Sequence, residues 1–423
     1  MFFNLKKFLS FSLIEYMVLI FPFTILSGPL LSDIFISFFF LTLAFKLLFV
    51  KDSDISIYFR KFLNNKYFII FFIFFIYINI NFYINFNWNV YYQKSFHTSL
   101  PYLRFIFASY LIAFIFIENR IALKIFLFIL VFIIVFLVFD GIYQYIFKVN
   151  LFGMQKWDPN RITSIFDDEQ IVGSYIIKTL PLSLIFFFNN KKYLDKKNLF
   201  LITIFLAFQG ILIFLSGERT SFALFIIFMF LFLIIFQPIL KFFLIGFFPV
   251  ILLLILIISF NPTAKKRMII DTYNQIFIHG KIAVFSEIHQ SHYVTAIKMF
   301  KDKPLIGHGV KSFRKVCKNY EINKWSCTTH PHNYYIQFLA ELGILGFLFL
   351  LYFYLFILYK FIKTLKIKNE SKKIIKLLIY SSFLLNLFPF MPTGNFFNNF
   401  NSILLYLPVI FLIYFNFNKK IFR

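Results

Sequence analysis

The strongest constraint on this chain is a succession of apolar runs, several of about 18 residues or more, separated by short charged stretches. Residues 125–139, continuing into Tyr143, form one, and residues 250–260 with their upstream neighbours form another. Such runs match the hydrocarbon thickness of a bilayer, where every backbone polar group must be satisfied inside a helix. The composition agrees, with 60% of the 423 residues hydrophobic and only 14% charged. The expected fold is an all-α integral membrane protein with about twelve transmembrane helices and one large outer loop. The apolar runs fall at roughly 13–28, 31–49, 67–83, 101–117, 125–146, 171–188, 199–215, 220–236, 241–260, 333–359, 376–392 and 401–417.

A formal charge of +25, from 43 Lys+Arg against 18 Asp+Glu, would suggest a nucleic-acid partner in a soluble protein. Two observations argue against it here. The 72 phenylalanines, with abundant Ile, Lys and Asn, resemble the residue usage of an A/T-rich coding sequence. The charges also sort by side. Alternate connections carry Lys46, Lys51, Arg60, Lys61 and Lys66, then Arg120 and Lys124, Lys191, Lys192, Lys196 and Lys197, Lys241, the lysines of 360–376, and Lys419, Lys420 and Arg423. The opposite connections near Gly28 and over residues 392–401 have no Lys or Arg. By the positive-inside rule both termini are expected in the cytoplasm. Lys6 and Lys7 precede an apolar stretch without a small-residue cleavage site, so the first run reads as an uncleaved helix. No internal repeat is visible.

The organisation expected is a membrane bundle of about nine spans over 1–260, an outer loop domain over 261–332, and a bundle of about three spans over 333–423. The outer loop holds 12 Lys+Arg against four acids, Asp271, Glu287, Asp302 and Glu321. Loops this long escape the charge rule, so the excess asks for a local cause. All seven histidines, His97, His279, His289, His292, His308, His330 and His332, fall on the outer side, six of them in this loop. Imidazoles suit proton transfer and metal binding near neutral pH; the alternative is that polar residues simply collect where water is.

The sharpest constellation is Thr329-His330-Pro331-His332-Asn333-Tyr334-Tyr335, followed by Glu341-Leu342-Gly343-Ile344-Leu345-Gly346, where the loop re-enters the membrane. If the helix runs through His332, Gly343 lies about 20° and Gly346 about 40° from its direction and Glu341 points away. His332 would then share a small-residue face that a neighbouring helix can approach closely. The alternative is an interfacial histidine beside a packing face.

His332-Asn333, nine residues, then Gly343-x-x-Gly346 resembles the signature of the O-antigen ligase and polymerase superfamily. Pro304-Leu305-Ile306-Gly307-His308-Gly309 with Phe313 is similar to a second element of that superfamily. Arg161-Ile162-Thr163 with Glu169 and Gly173-Ser174-Tyr175, ending at Pro181, is similar to the segment before its central spans. Ser216-Gly217-Glu218-Arg219-Thr220-Ser221 is similar to its short outer turn bearing a functional arginine. Their order and outer placement extend the resemblance over most of the chain. It implies a bacterial inner-membrane glycosyltransferase whose active site faces the periplasm. The implied reaction is inverting transfer of a glycan from undecaprenyl diphosphate, without cofactor or metal, to lipid A-core in a ligase or to another lipid-linked glycan in a polymerase. The implied partners are these two substrates and membrane lipids, with no nucleic acid.

The residue chemistry fits. A departing diphosphate needs multidentate cations, which arginine supplies better than lysine, and fixed donors at a low-dielectric site. Arg219 is the first candidate and Arg161 the second, with His332 the general base or orienting group for the acceptor hydroxyl. Asn333, Glu341, Gly343 and Gly346 are expected to be structural at the site. The superfamily commonly places an arginine 15 residues before the loop proline, where this chain has His289. Either Arg267 or Arg314 takes that role, or His289 does so as a pH-sensitive cation. Lys178, inside the sixth run, either approaches the diphosphate, pairs with Asp140 or Glu169, or snorkels to the interface.

His289-x-x-His292 with His330-x-His332, beside Cys317 and Cys327, admits a zinc reading, but no carboxylate or cysteine spacing completes a standard site. An outer location and nine intervening residues favour a Cys317–Cys327 disulfide. Gly307-His308-Gly309 lacks the βαβ context of a phosphate loop and reads as a tight turn. Residues 283–300 have helical apolar spacing and are expected to lie over the site as a lid. A transporter would spread polar residues through mid-membrane positions of both halves; here they gather on one side.

Overall fold

A computed structural model describes residues 10–49, 53–85, 95, 97–188, 195–236, 254–278, 281–282 and 285–417. Among the described residues nine helices precede the segment 261–332: α1 (Leu13–Leu26), α2 (Pro29–Phe49), α3 (Ser53–Leu63), α4 (Lys66–Ile84), α5 (Leu103–Glu118), α6 (Arg120–Phe147), α7 (Val172–Phe188), α8 (Lys196–Leu215) and α9 (Arg219–Ile235). That segment, expected to be the outer one, contributes α10 (Glu287–Asp302), and α11 (Tyr334–Thr364), α12 (Glu370–Asn386) and α13 (Asn399–Phe417) follow. The described strands are one two-residue antiparallel pair, Phe277–Ile278 with Lys281–Ile282.

Side-chain caps mark several boundaries. Ser12 and Glu15 close a reciprocal capping box on α1, and Asn119, Asn333 and Asn369 cap α6, α11 and α12 through their side-chain oxygens. Seven helices, including α2, α4, α6, α8, α11 and α13, are long and apolar enough to cross a membrane, and α1, α7 and α9 are shorter apolar helices. Their outward faces carry large apolar side chains such as Phe45, Phe139, Phe230 and Leu348, which suit a lipid surround. The described elements match eleven of the expected runs; of the run at 241–260 only 254–260 is described, so the total of twelve stands as an expectation. Lys191, Lys192, Lys241, Lys419, Lys420 and Arg423 of the charge pattern also lie outside the described residues.

Within the bundle α13 packs on α5, α12 on α7, α2 on α5 and α8 (with α9) on α7. Phe74 of α4 sits at the centre of an aromatic stack with Phe338, Phe349 and Phe397. A separate small core of Ala296, Met299, Phe313, Cys317 and Ala340 joins the outer segment to the first turns of α11. α11 is thus shared between the bundle and the segment above it. Its 31 residues include a break in the helical torsions at Gly343, and the stretch beyond it, 344–364, spans about 30 Å at 1.5 Å per residue, the thickness of a bilayer core.

Candidate functional site

The Pro304–Gly309 motif is a clasp around the start of α11. Its amides at His308 and Gly309 donate to the carbonyls of Ala340 (3.1 Å) and Glu341 (2.8 Å), and Ile344 N–H donates back to Pro304 (2.8 Å). From α4, Tyr77 donates to the Leu342 carbonyl and Asn81 to the Ile306 carbonyl. The two glycines permit this interlock. Gly343 has φ 65° and ψ −165°, and a Cβ there would meet Leu305 O at 2.4 Å; Gly307 has φ 67°, and its Cβ would meet Glu341 C at 2.4 Å. Both positions therefore demand glycine for conformation and space together. The buried Glu341 carboxylate accepts from Lys311 N–H (3.0 Å), Phe313 N–H (3.1 Å) and Gln337 Nε2 (2.9 Å), tying the next loop to the same turn.

This geometry corrects the helical-wheel reading of His332. α11 begins at Tyr334, after the Asn333 cap, and Gly343 breaks its helical torsions. His332 lies off the helix with φ 55°, its carbonyl accepting from Thr393 N–H at 2.9 Å. It shares no face with Gly343 or Gly346. Asn333 explains the displacement: its side chain caps Tyr335 and Ile336 while its Nδ2 donates to Pro389 O (2.8 Å), so the chain bends just where His332 sits.

The bend brings four imidazoles together. His332 lies 4.1 Å from His330, 5.3 Å from His292 and 5.5 Å from His289 between ring centroids. His289 and His292 come from α10, whose Ser286 cap also holds His289 Nδ1 at 3.0 Å. Thr329 Oγ1 contacts His330 Nδ1 at 2.9 Å. Burial and the neighbouring rings push His332 down to about 3 and His330 to about 4, and burial lowers His289 and His292. The cluster is neutral at pH 7. His289 is accordingly no permanent stand-in for an arginine.

Permanent cations lie near the imidazoles. Arg219, the first residue of α9, is electrostatically close to His289, and its Nη1 is buried without a hydrogen-bond partner. Arg161 Nε and Arg267 Nε reach the backbone carbonyls of Ser216 and Gly217, each at 3.3 Å, so three guanidinium groups converge on one turn. The Glu218 carboxylate secures that turn by accepting from Gly173 N–H (2.6 Å) and Ser174 N–H (2.9 Å) at the start of α7 and from Ser221 Oγ (2.9 Å) in the first turn of α9. Arg161 is also held by Gln170. Arg314 lies near His330, with its Nε buried and without a hydrogen-bond partner among the described residues.

Lys178 is buried in α7 and donates to Asn401 Oδ1 at 3.0 Å. It does not pair with Asp140, which instead accepts from Leu151 N–H and Ser164 Oγ, or with Glu169, and none of its described contacts is a cluster histidine. Cys317 and Cys327 are disulfide-bonded, with 5.4 Å between Cα atoms. Gly307-His308-Gly309 is the expected tight turn, and His308 is structural, its ring at 2.9 Å from Met299 O. His279 lies outside the described residues. Among the described residues no three His, Cys, Asp or Glu side chains are disposed to hold a metal ion. The residues given no part in the site by sequence reasoning were Gln170, Glu218, Gln337 and Thr393; His292 and His330 entered only as zinc ligands, although their spacing to His289 and His332 was visible.

No curated protein matches the chain. Residues 202–351 match the model of the family described as O-Antigen ligase, a stretch that contains Arg219, Arg267, His289, Arg314 and His332 but not Arg161 or Lys178. Over that stretch the chain is similar to the O-antigen ligase family, in line with the superfamily that its motifs resemble.

Proposed function

We propose that the protein is a membrane glycosyltransferase that moves an O-antigen or similar polysaccharide from undecaprenyl diphosphate to lipid A-core. The observation that carries this reading is a cluster of four imidazoles with Arg219 electrostatically close to His289 and Arg314 to His330, and with Arg161 and Arg267 beside Arg219, next to the start of a long apolar helix. An acceptor hydroxyl bound at His332 attacks the anomeric carbon of the donor. Its proton passes to an imidazole nitrogen as the bond between that carbon and the diphosphate oxygen breaks, inverting the centre. The leaving diphosphate takes up the guanidinium donors that have no protein partner, Arg219 Nη1 and Arg314 Nε. Its negative charge also raises the proton affinity of the neighbouring imidazoles, so the base strengthens only when the donor is bound. Asn333, Glu341, Gly343 and Gly346 hold the geometry. Lys178 acts through the bundle, positioning Asn401 rather than touching the donor.

Deleting the gene and analysing lipopolysaccharide tests the reaction. Undecorated core with long chains retained on the lipid carrier supports ligation; core bearing a single repeat assigns the polymerase reaction instead. His332→Ala and Arg219→Ala, each confirmed in the membrane, are expected to reduce transfer by roughly 100-fold or more. Near-normal surface polysaccharide in both variants overturns the mechanism.

A further inference from the structure

At the end of the bundle opposite the imidazole cluster, the start of α4, the end of α11 and the start of α12 enclose a cavity of about 1060 Å³. Lys66, Lys360, Lys363, Lys366 and Lys376 line it, and no acidic side chain does. We infer that this cavity binds a phosphate-bearing anion, either the headgroup of an acidic membrane phospholipid or a soluble polyphosphate.

Lysines that serve only to orient a membrane chain need no common space and are free to spread into solvent. These five face one cavity, Lys66, Lys360, Lys363 and Lys376 from three helices and Lys366 from the turn after α11. Lys66 and Lys360 both lie over the ring of Phe356, at 5.9 and 5.3 Å from its centroid, which keeps two like charges together. Lys360 and Lys363 share Tyr359 in the same way, at 5.5 and 5.9 Å. The nearby acid Glu370 is engaged elsewhere, with Lys373 at 2.7 Å. Deeper in, the hydroxyls of Tyr67 and Tyr380 meet at 3.3 Å, and both residues line the cavity. Holding five ammonium groups about an acid-free cavity is unfavourable unless an anion occupies it. Compact ammonium charges of this kind suit phosphate as point partners, and basic pockets between membrane helices suit lipid headgroups. The location, at the far end of α11 and beyond the Gly343 interruption, separates this site from the proposed site of glycan transfer.

The test uses the full-length protein in an uncharged detergent. Retained lipid is read by native mass spectrometry and melting temperature is followed during titration with cardiolipin, phosphatidylglycerol, phosphatidylcholine or inorganic pyrophosphate. The expected result is saturable retention of an acidic lipid or of pyrophosphate, but not of phosphatidylcholine. The triple variant Lys360→Gln, Lys363→Gln, Lys366→Gln should weaken it at least tenfold, and replacing the same three by Arg should restore it within about threefold. Removing the same charge at the same end but outside the cavity, with Lys46→Gln, Arg120→Gln and Lys124→Gln, should change it less than twofold. Binding of acidic lipid but not pyrophosphate assigns the membrane source, and the reverse assigns the aqueous one. Equal losses in the two triple Gln variants, or no saturable binding of either anion, overturn the inference.

Discussion

Replacing Gly343 by Ala tests whether the clasp holds the site together. The residue sits at φ 65° and ψ −165°, a region almost confined to glycine, and an alanine there costs about 1–3 kcal/mol in strain alone. The added Cβ also meets the Leu305 carbonyl oxygen at 2.4 Å, a backbone atom that no rotamer change can move. Relief requires the 304–309 loop to lift, which breaks the hydrogen bonds joining His308 to Ala340, Gly309 to Glu341 and Ile344 to Pro304. Three such bonds are worth roughly 3 kcal/mol together, so the variant either keeps the clasp and bears the strain and the clash or opens it and loses about that amount. Each 1.4 kcal/mol is about a factor of ten, so strain of about 1–3 kcal/mol alone shifts the clasp equilibrium by about 5- to 150-fold toward the open state, and the clash adds to that. Deuterium exchange over 304–313 should rise steeply, and transfer should fall by at least about 100-fold with the protein still in the membrane. Gly153→Ala is the control: its φ is 81° but nothing lies within 4 Å of the added Cβ, so only about 1–2 kcal/mol of strain is expected. If the two substitutions have the same effect on exchange and transfer, the interlock argument is wrong.

The imidazole cluster makes the outer segment acid-sensitive. His332 at about 3 and His330 at about 4 lie below the free value of 6.5, so the unfolded chain binds protons that the folded site refuses. The stability this contributes is complete above about pH 6.5 and erodes as pH falls toward 4. The upper limit is about 1.4 kcal/mol per pH unit for each ring, reduced by the water that reaches them. Protection from exchange over 286–293 and 329–332, taken relative to the intrinsic rate at each pH, should therefore fall between pH 7 and pH 5, and unchanged protection would count against the cluster. Cys317→Ser with Cys327→Ser should lower stability by about 2–3 kcal/mol from the sequence separation of 10, seen as a lower melting temperature for the oxidised wild type only after reduction. For orientation, a cysteine at Lys318 should react with an impermeant reagent in intact cells while one at Lys363 should not; the opposite pattern reverses the topology.

Much of the architecture was legible in the chain because its cause is local. A run of apolar side chains long enough for a bilayer must be helical, and α2, α4, α6, α8 and α13 lie within a few residues of the runs read from sequence. The arginine and histidine candidates were legible too, since they fall in charged breaks between such runs. The pairing of Lys178 with Asn401 and the position of His332 off the helix were not. A helical wheel assumes continuous torsions, and both the Asn333 cap and Gly343 interrupt them.

Sequence by itself determined a helical membrane protein whose reactive side chains gather in one segment and two turns. Only the tertiary structure decided which of those side chains meet. His289 and His292 stand some forty residues from His332, and they reach it because Asn333 turns the chain at the helix start and the Pro304–Gly309 loop closes on Gly343. Arg219 and Arg161 converge because Glu218 caps a distant helix start. Hydropathy acts on each residue's own transfer between water and lipid, so it can be read position by position. The site depends on backbone hydrogen bonds and excluded volume between segments far apart in sequence, which exist only once the chain has folded.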